Sequence, residues 1–188
     1  MKKIGLFFGS FNPVHTGHMV IAQHIQQHFP LDEVWLVVSP QNPFKEKKNL
    51  LPERTRWNMV DLAIGEAKGL RASDVEFALP RPSYTVATLA HLKEKHPEHL
   101  FHLIMGSDNR KNLHKWRNGE YIETHFPIIV YPRGTDVAQP MNNTYWVDAP
   151  RMEISSSHIR QELKAGKEVR YLLPEKVWEF LTDSDLYR

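Results

Sequence analysis

Four short runs of consecutive apolar residues alternate along this chain with stretches in which apolar positions return every three or four residues. Ile4-Gly5-Leu6-Phe7-Phe8-Gly9, Val34 to Val38, Leu100 to Met105 and Ile128 to Tyr131 are the runs. Periodicity alone does not separate a short buried strand from a helix fragment, but the glycines and Pro13 favour a strand for the first. Between the runs, Ile21, Ala22, Ile25 and Phe29 form the stripe of an amphipathic helix over residues 16–29, closed by Pro30. A second helix opens at Pro52 with Val60, Ala63, Ile64 and Ala67 inside, and a third runs to His96 with Val86, Leu89 and Leu92 inside and Ser83 as its cap. Val75 to Phe77 reads as a short strand.

Runs that do not alternate fit strands covered on both faces, and their interleaving with helices predicts βαβ units. The expected class is α/β with a doubly wound parallel sheet. Beyond it, residues 155–165 read as a helix stopped by Gly166, and Pro174 starts a last helix through Leu181. Residues 1–188 are therefore expected to be one domain, a core over 1–150 and a small helical C-terminal appendage over 151–188. Residues 45–49 and 134–143 are polar and rich in breakers, and read as mobile loops.

Composition adds limits. The 188 residues, 41% apolar and 24% charged, lie in the ordinary globular range, and at this length folding buries roughly 70% of the unfolded chain's surface. With no cysteine, thiol nucleophiles, iron–sulfur clusters and thiolate zinc sites are excluded, and the expected compartment is the cytoplasm. No run approaches a membrane span, and Met1-Lys2-Lys3 leads into a strand-like run, not a cleavable leader. A net charge of +2 is too small a footprint for nucleic acid, so an anionic ligand must be met by local charge. His24 and His28 stand at i,i+4 spacing, but no third ligand accompanies them and they read as a solvated face; no protein-held metal is expected.

The chemistry concentrates where the first strand meets the first helix, in Gly9-Ser10-Phe11-Asn12-Pro13-Val14-His15-Thr16-Gly17-His18. Such a junction lies at the carboxyl edge of an open sheet, where ligands bind, and helix-start amides favour an anion. Gly9 and Gly17 permit close approach, and His15 and His18 can face one ligand. Met105-Gly106-Ser107-Asp108-Asn109 follows a later strand at the same edge, with Asp108 able to accept from ribose hydroxyls. Trp116 is suited to stacking on a flat ring, and its flanks Lys115 and Arg117 argue against full burial.

The first stretch resembles the Gly-x-Phe-x-Pro-x-His-x-Gly-His signature of the nucleotidyltransferase superfamily, whose fold is Rossmann-like. Ser39-Pro40-Gln41-Asn42-Pro43-Phe44-Lys45, Arg81-Pro82-Ser83-Tyr84-Thr85, the Gly106 segment, Trp116 and Ile154-Ser155-Ser156-Ser157-His158-Ile159-Arg160 narrow the resemblance to the nicotinate-mononucleotide adenylyltransferase family. Ser157 departs from the threonine usual there, keeping the hydroxyl and losing a methyl.

That resemblance implies adenylyl transfer from ATP to nicotinate mononucleotide, giving nicotinate adenine dinucleotide and pyrophosphate, with magnesium carried by ATP. It implies His15, His18, Lys45 and Arg160 as catalytic groups. Gly9, Ser10, Phe11, Gly106, Asp108, Ser155 and Ser156 would join them in binding ATP, and Ser39, Thr85, Trp116 and Arg117 would hold the acceptor. Two alternatives share these motifs. One is a sister nucleotidyltransferase using nicotinamide mononucleotide, phosphopantetheine or another phosphorylated acceptor; the other is a nucleotide sensor without turnover. The sequence does not fix an oligomeric state.

Overall fold

The four apolar runs become the four inner strands of a six-stranded sheet. The computed structural model describes residues 1–41, 50–184 and 186–187. Among them β1 (Lys3–Gly9), β2 (Glu33–Val38), β3 (Leu70–Ser73), β4 (Leu100–Gly106), β5 (Ile128–Tyr131) and β6 (Thr144–Trp146) pair in the order β3-β2-β1-β4-β5-β6, every neighbouring pair parallel. The fold is α/β and Rossmann-like. The strand order reverses between β1 and β4, opening a crevice at their carboxyl ends.

Side chains along each inner strand divide between two cores, as the strand period of two requires. Phe7, Leu36, Ile104 and Ile129 face one side, and Leu6, Val37, Leu103 and Val130 the other. The first side is covered by α1 (Thr16–His28) and α2 (Glu53–Ile64), and the second by α3 (Thr85–Lys95) and, after the five-residue α4 (Ser107–Lys111), by α5 (Gly119–His125). The C-terminal helices α6 (Ser156–Lys164) and α7 (Glu175–Thr182) join the first core through Ile159, Leu163, Val177 and Leu181. Burying Val177 and Leu181, at roughly 1.5–3 kcal/mol each, seats α7 against α2, and Tyr187 beyond it bonds to Asn12 in the turn after β1.

Three expectations change. Residues Val75–Ala78 form a 3₁₀ turn, and the strand lies just before it, at Leu70–Ser73. This strand is an edge, four residues long and half polar, so it lacks the apolar run of a strand buried on both faces. Ser83 does not cap α3: Tyr84 occupies the N-cap position without a side-chain hydrogen bond, while the Ser83 amide donates to the Gln41 carbonyl. The opposite edge strand β6 and the short helices α4 and α5 were not anticipated from the sequence.

Helix α5 starts under a steric constraint. A Cβ on Gly119 would lie 2.0 Å from the Leu113 carbonyl oxygen, so the backbone there tolerates no side chain without moving. Helix propensity favours alanine over glycine by about 1 kcal/mol. The contact predicts the opposite sign: Gly119→Ala should destabilise the protein by about 1–3 kcal/mol, read from the urea midpoint. A neutral or stabilising result contradicts the close approach.

Candidate active site

The turn after β1 is held from several directions. Phe11 has a φ of 45°, a left-handed conformation that a bulky residue adopts only when its surroundings fix it. Its ring packs edge-on against Phe7 at 6.0 Å and against His18 at 5.0 Å. A Cβ on Gly9 would fall 2.7 Å from that ring, which explains glycine at the strand end.

His15 caps the chain's entry into α1, its carbonyl accepting from the His18 amide at 2.9 Å. The His15 amide in turn donates to His18 Nδ1 at 3.2 Å. An accepting Nδ1 leaves the proton of neutral His18 on Nε2, a fixed tautomer with its donor on the far side of the ring. The two imidazoles stack with centroids 3.7 Å apart. His15 is the buried member at 5% exposure, and desolvation, helped by the positive charge of Arg133, pushes its pKa down to about 4. At neutral pH it is uncharged.

Behind this turn lies Arg56, at 0% exposure on α2. Its guanidinium donates to the carbonyls of Leu51 at 2.8 Å, Ser10 at 2.6 Å, Ser39 at 2.8 Å and Pro40 at 3.3 Å. One side chain thus joins the loops after β1 and β2 to α2. From the other end of the sequence, Arg160 Nη1 donates to the Asn12 carbonyl at 2.7 Å and Ser156 Oγ to the Pro13 carbonyl at 2.8 Å. Asn12 Oδ1 accepts from the Leu51 amide and the Tyr187 hydroxyl.

These elements enclose a cavity of about 910 Å³ over the β1/β4 crevice. One wall is the β1–α1 turn with His18, the start of α6 and Arg160. The floor is Gly106 at the end of β4, where a Cβ would meet Arg133 and Asp108 at 2.6 Å. Asp108 and Arg133 lie 3.7 Å apart on the rim. The other wall is Ser39, Ser83, Tyr84, Thr85, Trp116 and Arg117, with the Arg117 guanidinium 4.8 Å from the centre of the Tyr84 ring. Without a side-chain cap, the first-turn amides of α3 are a ready site for a carboxylate.

The cytidylyltransferase-like family model matches residues 6–162, a span that holds all of these elements except Tyr187. Relatives from Flavobacterium johnsoniae and Flavobacterium psychrophilum, each named "Probable nicotinate-nucleotide adenylyltransferase", are 49% and 48% identical, each alignment covering 99% of both chains. The chain belongs to this family. In fold it is similar to the Plasmodium falciparum nicotinic acid mononucleotide adenylyltransferase complexed with NaAD, at a TM-score of 0.84 and 22% identity, covering 100% of this chain and 98% of that one.

For this family member the structure brings together Gly9, Ser10, Phe11, His15, His18, Ser39, Thr85, Gly106, Asp108, Trp116, Arg117, Ser155, Ser156 and Arg160 around one cavity. Lys45 lies outside the described residues. Trp116 is half-buried, packed against the core below while it lines the cavity above. Ser156 and Arg160 each give one donor to the β1–α1 turn, so they brace the loop as well as face the cavity. Arg56, Arg133, Asn12 as a brace, Tyr187 and a buried carboxyl at Glu76 escaped the sequence reading. Arg56 alone had a visible signal, a charge on the same helical stripe as Met59 and Val60.

The buried His15 predicts a pH dependence of stability. Its folded pKa lies below the ordinary 6.5, so as pH falls the unfolded chain takes the proton first, and stability is present above that value and lost toward about 4. This group alone should make the protein about 2 kcal/mol less stable at pH 5 than at pH 7. Denaturant titrations of wild type and His15→Asn check it: the variant should lack that part of the slope, and equal slopes would contradict the assignment.

Proposed function

We propose that the protein transfers the adenylyl group of ATP to nicotinate mononucleotide, forming nicotinate adenine dinucleotide and releasing pyrophosphate. The observation that carries this reading is one cavity at the β1/β4 reversal, lined by His18, the α6 start and Arg160 as well as by Thr85, Trp116 and Arg117. Names of relatives that align over almost their whole length support the same activity.

A phosphate oxygen of the mononucleotide attacks the α-phosphorus of ATP, and the bond from that phosphorus to the α,β-bridging oxygen breaks, its electrons leaving with pyrophosphate. The nucleophile is anionic at neutral pH, so no general base is needed. The protein must bring two polyanions together and stabilise charge moving onto the bridging and equatorial oxygens. His18 presents Nε2–H as a neutral donor held by the His15 amide, and the starts of α1 and α6 add the positive ends of two helix dipoles. Arg160 retains donors beyond those used on Asn12 and Ser157. Lys45 would supply a further cation for the polyphosphate.

On the acceptor side, Trp116 offers an indole face to the pyridine ring. Thr85, the α3 amides and Arg117 meet its carboxylate, and Ser39 lies beside them. Gly106 leaves room for nucleotide against the end of β4, with Asp108 placed to take ribose hydroxyls. Magnesium enters with ATP as part of the substrate, coordinated by phosphate oxygens and water.

Incubation with ATP, magnesium and nicotinate mononucleotide should yield the dinucleotide and pyrophosphate, identified by mass. A preference for nicotinamide mononucleotide of more than tenfold would overturn the acceptor assignment, and ATP binding without turnover would favour the sensor. His18→Ala should lower kcat by roughly 10²-fold with a smaller change in KM, the scale of one lost charge-stabilising donor. Unchanged turnover removes His18 from the mechanism.

A further inference from the structure

Glu76 is the one acidic side chain in the buried set of the described residues, at 1% exposure, and the chemistry above leaves it unused. It stands in the 3₁₀ turn directly behind the acceptor wall. Its Oε1 accepts from Thr88 Oγ1, on the inner face of α3, at 2.7 Å. Its Oε2 and Ser83 Oγ are both buried, and neither has a hydrogen-bond partner among the described residues. The Ser83 and Ser39 hydroxyls are near enough to act on the carboxyl, and both residues line the cavity.

We propose that Glu76 is a positioning residue that sets the acceptor pocket's preference for a ring bearing a carboxylate over one bearing an amide, by deciding which way the Ser39 and Ser83 hydroxyls point. The inference rests on the adenylyl-transfer reading and deepens it.

The hydrogen-bond inventory supplies the logic. A neutral carboxyl has one donor, which Oε2 can give to a serine oxygen; that hydroxyl then turns its own hydrogen toward the cavity. An ionised carboxylate only accepts, so it draws the serine hydrogens to itself and turns their lone pairs toward the substrate. The acid acceptor brings only carboxylate oxygens to this wall and needs donors, whereas the amide brings N–H groups. An ionised Glu76 would also set a second negative charge behind the substrate's own. The neutral form therefore selects the acid, and the ionised form erases that selection.

The surroundings favour the neutral form. Burial raises the Glu76 carboxyl above its ordinary range, while the hydrogen bond from Thr88 and the nearby hydroxyls of Ser39 and Ser83 only partly oppose it. No charge among the described residues acts on it. On its own segment Asp74 is paired with Arg54 of α2; on the approach to α3, Arg81 is paired with Glu53; and Arg117 lies over Tyr84. From α3 and from the residue after β2 the groups acting on it are the Thr88 and Ser39 hydroxyls, while Arg56 of α2 is engaged with the Ser39 and Pro40 carbonyls.

The test compares kcat/KM for nicotinate and nicotinamide mononucleotides, with ATP and magnesium, between about pH 5.5 and 9. The phosphate titration common to the two acceptors cancels in their ratio. In wild type the acid-to-amide ratio should fall at least about tenfold as pH rises, the change lying in KM for the acid acceptor and not in KM for ATP. Glu76→Gln, which keeps the shape and a donor but cannot ionise, should hold the ratio constant across pH near the wild-type low-pH value. A wild-type ratio that does not change with pH, or a Glu76→Gln ratio that falls in parallel with it, overturns the proposal while leaving adenylyl transfer intact. Dinucleotide formed from neither acceptor at any pH overturns adenylyl transfer itself and this inference with it.

Discussion

A buried guanidinium bonded to four backbone carbonyls holds the catalytic edge of this protein together. Removing a cation from water is costly, and the cost is met only if several well-placed dipoles replace the lost hydration. Arg56 obtains them from the carbonyls of Ser10, in the β1–α1 connection, and of Ser39, Pro40 and Leu51, near the two ends of the β2–α2 connection. The dependence runs both ways: the charge is tolerable only where those carbonyls converge, and the loops converge because the charge is there. Lysine could not substitute, since one ammonium cannot span the directions that the planar five-donor fork covers. Ser10 then sets the approach to the Phe11 turn, and Ser39 is fixed beside Glu76 on the acceptor wall.

Closure from the C-terminal side completes the same loop. Asn12 lies where residues 148 and 175 positions away in sequence meet it, Arg160 at its carbonyl and Tyr187 at its side chain. Ser156 reaches Pro13 across 143 positions. These contacts convert packing of α6 and α7 on the first core into placement of the β1–α1 turn. The C-terminal helices share the hydrophobic core of α1 and α2, and the start of α6 contributes to the wall of the cavity, so both ends of the chain brace the same turn.

Much of this was legible in the residues, for identifiable reasons. The inner strands showed themselves because burial on both faces demands uninterrupted apolar runs, and α1 because one apolar stripe faces the sheet. The edge strands did not: β3 and β6 each pair on one side only and carry polar residues at half their positions or exposed ones such as Tyr145. The phosphate-facing turn could be read because glycine, proline and histidine at fixed offsets describe a backbone path. Arg56 and Glu76 were harder, since a single charge in a short segment reads as solvent-facing until its partners are known. Those of Arg56 are backbone carbonyls up to 46 positions away, to which residue identity gives no clue. Ser83 looked like a helix cap because local spacing fits one, but its amide is drawn to Gln41 and the helix begins a residue later.

The electrostatics of the cavity follow from what an adenylyl transfer must avoid as well as what it must achieve. A dense cationic clamp would bind ATP, the dinucleotide and pyrophosphate almost equally, and uniform binding of that kind does not lower the barrier between bound substrate and transition state. Here the buried imidazole of His15 is kept neutral by burial and by Arg133, and its stacked neighbour His18 accepts at Nδ1 from a backbone amide, which fixes the ring's orientation. Formal positive charge is placed at the ends of longer side chains, on Arg133, Arg117 and Arg160, which are partly exposed or already engaged with protein oxygens. Fixed dipoles beside a reacting phosphate would respond to the charge that develops there, while screened cations at the margin would steer polyanions toward the cavity. Burial of His15 therefore acts twice: it destabilises the fold in acid, and it leaves an imidazole that lines the cavity uncharged at neutral pH.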